Sequence, residues 1–271
     1  MFDNDAKIIQ RMAPMLQRVL IVDPHVANAR IMGELIRSMI RCQVWGAPTA
    51  EKGLKLAGSV GPDVIFVELA AEGLDGVAFA RKLRRSNLAC RQVPVIMMTG
   101  QATAAGILAA RDAGVHEFLR KPFTVKDLVR RLEAVTLRPR DWIEAVDYVG
   151  PDRRRFNSGD YSGPLKRRSD LPPMADAART SQALKIIRSA IEAVEKDPTQ
   201  ALRALMAQAA ELKASGVKAG DMKLTQGAID FARYLDGVEK ASGFDVAELK
   251  RQAAPLLAYL PKDDGGAAAA A

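Results

Sequence analysis

Histidine and cysteine are scarce in this chain of 271 residues, with two of each. Cys42 and Cys90 lie far apart without metal-ligand spacing, a pattern expected of two free thiols in a reducing compartment rather than of a disulfide. His25 and His116 are followed by no further histidine, which excludes a phosphohistidine helix in the C-terminal half. Both histidines have the setting of structural residues. Aromatic side chains make up only 5% of the chain, so any core must be built from aliphatic residues and alanine. No apolar run approaches the roughly 20 residues that cross a bilayer. Asp3 and Asp5 interrupt the N-terminus, against a secretory signal. No glycine-rich loop with a lysine suggests nucleotide hydrolysis, and the chain is expected to be soluble and cytoplasmic, without a membrane partner.

The hydrophobic fraction is 48% and the net charge is +8. That charge is uneven. Residues 1–150 hold 21 basic and 16 acidic residues, 151–174 hold 6 and 3, and 175–271 hold 13 and 13. The C-terminal third therefore lacks the basic footprint of a DNA-binding output domain, and nucleic acid is not the expected partner.

Residues 18–137 alternate apolar runs with amphipathic patterns. Strands are expected at 18–23, 43–46, 63–69, 93–99 and 116–120, and helices at 26–40, 49–58, 75–87, 103–113 and 125–137. Fivefold alternation implies a parallel sheet with right-handed crossovers and helices on both faces. Function in such sheets gathers at the carboxyl ends of the strands, where Asp23, Glu68, Thr99 and Lys121 fall. Residues 1–17 form an N-terminal arm in which Ile8, Ile9 and Met12 either make a docked helical turn or stay loose.

Two Gly-Pro pairs, Gly150-Pro151 and Gly163-Pro164, and Pro172-Pro173 punctuate residues 138–174, which read as an extended Arg/Pro/Gly-rich linker. Its basic residues are Arg153, Arg154, Arg155, Lys166, Arg167 and Arg168. From 175 to 262 the period becomes helical. Leu184, Ile187, Ile191 and Val194 make one stripe, and Leu202, Leu205, Ala209 and Leu212 a second. Leu224, Ala228, Phe231, Leu235 and Val238 make a third, and Val246, Leu249, Ala253 and Leu260 a fourth. Asp197-Pro198 has the form of an N-cap followed by proline at the first helical position. Asp245 and Glu248 have capping-box spacing. Gly216, Gly220 and Gly243 stand between stripes, and Pro255 is expected to kink or break the last helix. The expectation is an all-α bundle, closed alone or by homodimerisation, followed by a disordered tail over 263–271.

The segment Val64-Ile65-Phe66-Val67-Glu68, then Leu74-Asp75-Gly76, then Pro94 to Thr99, then Lys121-Pro122-Phe123, resembles the receiver domain of two-component response regulators (CheY-like), in that order. The resemblance implies a flavodoxin-like five-stranded doubly wound sheet. It also implies an acceptor aspartate at the position of Glu68, two adjacent acids at Asp23 and Pro24, and Mg²⁺ between them. Thr99 and Lys121 match the hydroxyl and ammonium that sense a phosphoryl group. Phe118 matches the aromatic switch residue that reports to the output face, and Lys121-Pro122 the family's Lys-Pro junction, usually cis. Two departures stand out. Glu68 carries its carboxylate about 1.5 Å further from the strand, and Pro24 offers no oxygen ligand, leaving Asp23 as the one acid for a metal. Asp23-Pro24 also has the form of a helix N-cap and N1 proline. Ala70, Ala71, Glu72 and Gly73 replace the usual acceptor loop with its proline.

These features point to a non-enzymatic pseudo-receiver adaptor that binds signalling proteins, a histidine kinase or a downstream target, with Glu68 and Lys121 setting its state. One alternative is a working phosphorelay receiver phosphorylated on Glu68 by a histidine kinase. Another is a nucleic-acid or nucleotide-binding regulator acting through the arginine-rich linker, whose clusters suit phosphates.

Overall fold

The structure, a computed structural model, describes residues 2–153, 175–241 and 245–260. The chain divides into two compact units, Met1–Ile143 with Tyr148–Ser162, and Glu144–Asp147 with Gly163–Ala271.

The first unit is built on five parallel strands, β1 (Arg18–Val22), β2 (Gln43–Ala47), β3 (Val64–Glu68), β6 (Val95–Thr99) and β7 (Glu117–Arg120), in the order β2-β1-β3-β6-β7. Apart from Arg18, Glu68 and Thr99 at their ends, the side chains of β1, β3 and β6 are apolar on both faces, as a sheet covered on both sides requires. Leu20, Val22, Ile65, Val67, Val95, Met97 and Phe118 pack against α3 (Ala50–Val60), α4 (Gly76–Arg85) and α5 (Ala104–Asp112). Val19, Ile21, Phe66, Ile96, Met98 and Leu119 face α2 (Val26–Met39) and α6 (Val125–Thr136). The alternation of neighbouring residues between two cores is the period-two rule of a strand. The expected doubly wound α/β fold is the observed one.

The arm is a helix, α1 (Phe2–Met12), packed on α6, with Met12 and Leu16 fully buried. Asp23 does not cap α2. The helix begins two residues beyond Pro24 with His25 at the N-cap, and the Asp23 carboxylate accepts from the His25 backbone N–H at 2.8 Å. The stretch read as a linker from residue 138 is folded as far as Arg153. β8 (Trp142–Glu144) pairs with β9 (Val149–Pro151), after a two-residue hairpin earlier in the chain, β4 (Ala70–Ala71) with β5 (Leu74–Asp75). Strands this short carry no periodic signal, and the flanking proline and arginines mimic a linker. The remaining basic linker residues, Arg154, Arg155, Lys166, Arg167 and Arg168, lie outside the described residues, as do Gly243 and the 263–271 tail.

In the second unit α7 (Ala175–Ala193), α8 (Pro198–Ala219), α9 (Met222–Ala241) and α10 (Val246–Leu257) form a bundle. Leu184, Ile187, Leu205, Leu212, Phe231, Leu235 and Leu249 are each at most 1% exposed, so the four stripes converge on one core. Asp197 caps α8 by accepting from Gln200 N–H, and Asp245 caps α10 by accepting from Ala247 and Glu248 N–H. Gly220 ends α8 in a left-handed conformation at φ 69°. Gly216 instead sits inside α8, where a Cβ would lie 2.9 Å from the Thr225 backbone nitrogen. Pro255 lies in the last turn of α10, which continues for two residues beyond it.

Candidate functional site

Strand register brings four separated residues to one end of the sheet. Val22 pairs with Val67, so Asp23 and Glu68 emerge side by side, while Thr99 pairs with Arg120, immediately before Lys121. Lys121 N–H donates to the Thr99 carbonyl at 2.7 Å, holding the β7 exit against β6. The Lys121-Pro122 peptide bond is cis.

Asp23 and Glu68 are 2% and 7% exposed. The Lys121 ammonium donates to Glu68 Oε2 at 2.6 Å and stands 3.5 Å from Asp23 Oδ2. One cation therefore serves two buried carboxylates. Burial pushes the Glu68 carboxyl above its ordinary value, Asp23 adds to that push, and the Lys121 hydrogen bond and charge oppose it. His25, exposed, has its Nδ1 3.4 Å from Asp23 Oδ1 at the rim.

Thr99 is buried, and its hydroxyl accepts from the Gln101 backbone N–H at 3.0 Å. Phe118, 4% exposed, is packed inward among the apolar side chains of the sheet. The loop after Glu68 is held firmly. Gly73 turns the β4–β5 hairpin at φ 77°. Gly76 donates its N–H to the Leu69 carbonyl, and a Cβ there would lie 2.2 Å from the Glu68 carbonyl oxygen. Only glycine permits that approach of α4 to the end of β3.

The residues present do not fit a resident magnesium ion. Mg²⁺ takes oxygen ligands in near-octahedral array, but Pro24 supplies none and the Lys121 ammonium stands between the two carboxylates. Among the described residues no three His, Cys, Asp or Glu side chains are grouped to hold a metal.

A profile of the response regulator receiver domain matches residues 19–133. The chain carries a receiver domain. It is 32% identical over 123 residues to the KDP operon transcriptional regulatory protein KdpE of Escherichia coli, covering 45% of this chain and 52% of that one. It is 27% identical over 128 residues to the DNA-binding response regulator MtrA of Mycobacterium tuberculosis, with the same two coverages. The chain thus spans about half the length of the curated relatives it matches. Among solved structures, a CheY-like receiver domain protein from Methanospirillum hungatei covers 46% of this chain and 96% of its own, at 21% identity and a TM-score of 0.42.

At the opposite end of the receiver's sheet is a buried cluster that gives no sequence signal. Arg84, inside the basic run Arg81 to Arg85, is 1% exposed. Its guanidinium donates to the carbonyls of Gly114, Arg91 and Val93 at 2.9, 2.6 and 2.9 Å, and lies 3.2 Å from His116 Nδ1. The Trp142 ring lies beneath it, 5.3 Å from Cζ. Burial lowers Arg84 to about 9, so it remains protonated at neutral pH, and burial with the nearby arginines keeps His116 neutral. Arg140 donates to the His116 carbonyl, and Arg153 stacks 4.4 Å over Tyr148 while pairing with Asp112 at 3.3 Å. Arg153 thus belongs to the receiver's fold. No helix among the described residues is long and apolar enough to cross a membrane.

Proposed function

We propose that this chain is a pseudo-receiver, a signalling module whose receiver holds one state without a phosphoryl group and whose helical bundle binds another protein. The observation that carries the reading is the ammonium of Lys121, 2.6 Å from Glu68 and 3.5 Å from Asp23. Phosphoryl transfer to a carboxylate depends on an in-line position and on a metal that neutralises developing charge. Here the internal ammonium takes the electrostatic place of that metal. The carboxylate is displaced along the strand exit by its extra methylene, and a displacement of this size costs about a hundredfold in rate. Lys121 and Glu68 then act as a permanent charge pair.

Asp23, Glu68 and Lys121 are the residues of the pair and its surroundings. Lys121 continues directly from β7, and Phe118 on that strand packs toward α3, α4 and α5, so a change in the pair would be reported on that side of the sheet. The bundle buries its four apolar stripes within itself, which favours a partner protein recognised on the outside of the helices over a homodimer built from those stripes. The module is non-enzymatic in this reading.

The test is amide hydrogen exchange on the full chain with and without Mg²⁺ and a small-molecule phosphodonor. Unchanged exchange in the segments after β3 and β7 is expected. A protection change confined to those segments overturns the reading in favour of a working phosphorelay receiver.

A further inference from the structure

Five exposed cations of the receiver stand on one face that the Glu68 site does not use. α3 and α4 are neighbours on the same side of the sheet, and between them they carry one carboxylate, Glu51. Lys52 and Lys55 on α3, and Arg81, Lys82 and Arg85 on α4, are all exposed. Glu51 interacts with Lys82, which locates the facing surfaces of the two helices. Lys52, Lys55 and Arg81 make no ion pair among the described residues. The spacing is regular. Lys52 and Lys55 are three residues apart, and Arg81 and Arg85 four apart, so each pair lies along one side of its helix.

This face differs from a protein-binding patch in what it lacks. The centre of a protein interface is apolar and often aromatic, whereas the exposed large apolar side chains of the described residues all lie outside 48–92. Single strands are held by stacking on aromatic rings, and neither α3 nor α4 carries an exposed one. What remains is a set of exposed cations on two neighbouring helices, of which Lys52, Lys55 and Arg81 make no ion pair among the described residues, and such a set suits a dense array of phosphates.

We propose that the α3–α4 face is a docking surface for the phosphate backbone of double-stranded nucleic acid, read without base specificity. The neutral C-terminal third set nucleic acid aside on sequence grounds; the receiver half carries the cations instead. The inference is independent of whether Glu68 is phosphorylated.

The experiment is fluorescence anisotropy of a labelled random-sequence DNA duplex with the full chain, across about 50 to 200 mM salt. Wild type is expected to bind at low salt and to weaken steeply as salt rises. The triple variant Lys52→Glu, Lys55→Glu, Arg81→Glu is expected to lose at least tenfold in affinity. Its salt slope is expected to flatten by roughly 0.9 per phosphate contact removed. Replacing Arg153, Arg154 and Arg155 by alanine is expected to leave that slope in place. Circular dichroism confirms the fold, and the Lys52→Gln, Lys55→Gln, Arg81→Gln variant carries the test if the charge reversal unfolds the protein. Three outcomes overturn the proposal: no duplex binding at low salt, a slope abolished only by the linker variant, or face-dependent binding of labelled poly-glutamate without binding of the duplex.

Discussion

The Lys121 ammonium lies 2.6 Å from Glu68 Oε2, a contact between residues 53 positions apart in the chain. At an intermediate effective dielectric, charges this close attract by about 6 kcal/mol before desolvation. The net contribution is smaller, because the Lys121 side chain is 28% exposed and water screens it.

Replacing that ammonium leaves two buried carboxylates with their main cation removed. Lys121→Met is expected to lower stability by about 1–3 kcal/mol at pH 7, read by urea denaturation. Part of the loss is expected to return on acidification, as Glu68 takes up a proton.

The raised Glu68 value fixes the sign of a pH effect. Because the folded state binds this proton more readily than the unfolded chain, the charged form costs stability. That cost is absent below the ordinary glutamate value of 4.5 and grows as pH rises through the raised folded value. Glu68→Gln removes the titration. Its stability relative to wild type is expected to improve as pH increases across that window, in parallel melting curves. A difference that is flat with pH contradicts the assignment.

Gly76 sets how closely α4 approaches the site. With a Cβ only 2.2 Å from the Glu68 carbonyl oxygen, Gly76→Ala must move backbone. A loss of about 1–3 kcal/mol is expected, together with shifted amide resonances at Glu68 and Lys121. A variant with unchanged melting temperature and spectrum contradicts the packing described.

Arg84 holds the other end of the receiver's sheet. Arg84→Met keeps most of the volume but strips three carbonyls of their donor. The Gly114 and Val93 carbonyls are buried, and each unsatisfied buried group costs about 1–3 kcal/mol, so the expected loss is at least about 2 kcal/mol. Because Trp142 lies beneath the guanidinium, its fluorescence is expected to shift toward solvent, and Tm and emission together check both points.

Much of this was legible in the sequence. The five strands and their helices follow from runs such as Val64 to Val67 and Val95 to Met98, buried on both faces. The bundle follows from stripes such as Leu224, Ala228, Phe231 and Leu235. Glu68 and Lys121, read from the receiver resemblance as the residues that set the state, stand 2.6 Å apart. Thr99, which matches the phosphoryl-sensing hydroxyl of the receiver resemblance, accepts from the Gln101 N–H. What sequence missed is tertiary in origin. Nothing local separates Arg84, which is buried, from Arg81 and Arg85, which are exposed. The strands of Trp142 and Val149 are three residues long, too short for a period to register. Asp23-Pro24 has the chemistry of a helix start, yet the carboxylate turns back to the His25 N–H and delays the helix.

The most direct test of the pseudo-receiver account is intact mass after incubation with Mg²⁺ and a small-molecule phosphodonor, on wild type, Glu68→Asp and the Pro24→Asp, Glu68→Asp double variant. The account predicts no phosphoryl adduct on wild type and a phosphoryl adduct on the double variant, where the shorter carboxylate and the second acid are both restored. A phosphoryl group mapped to Glu68 of wild type contradicts it.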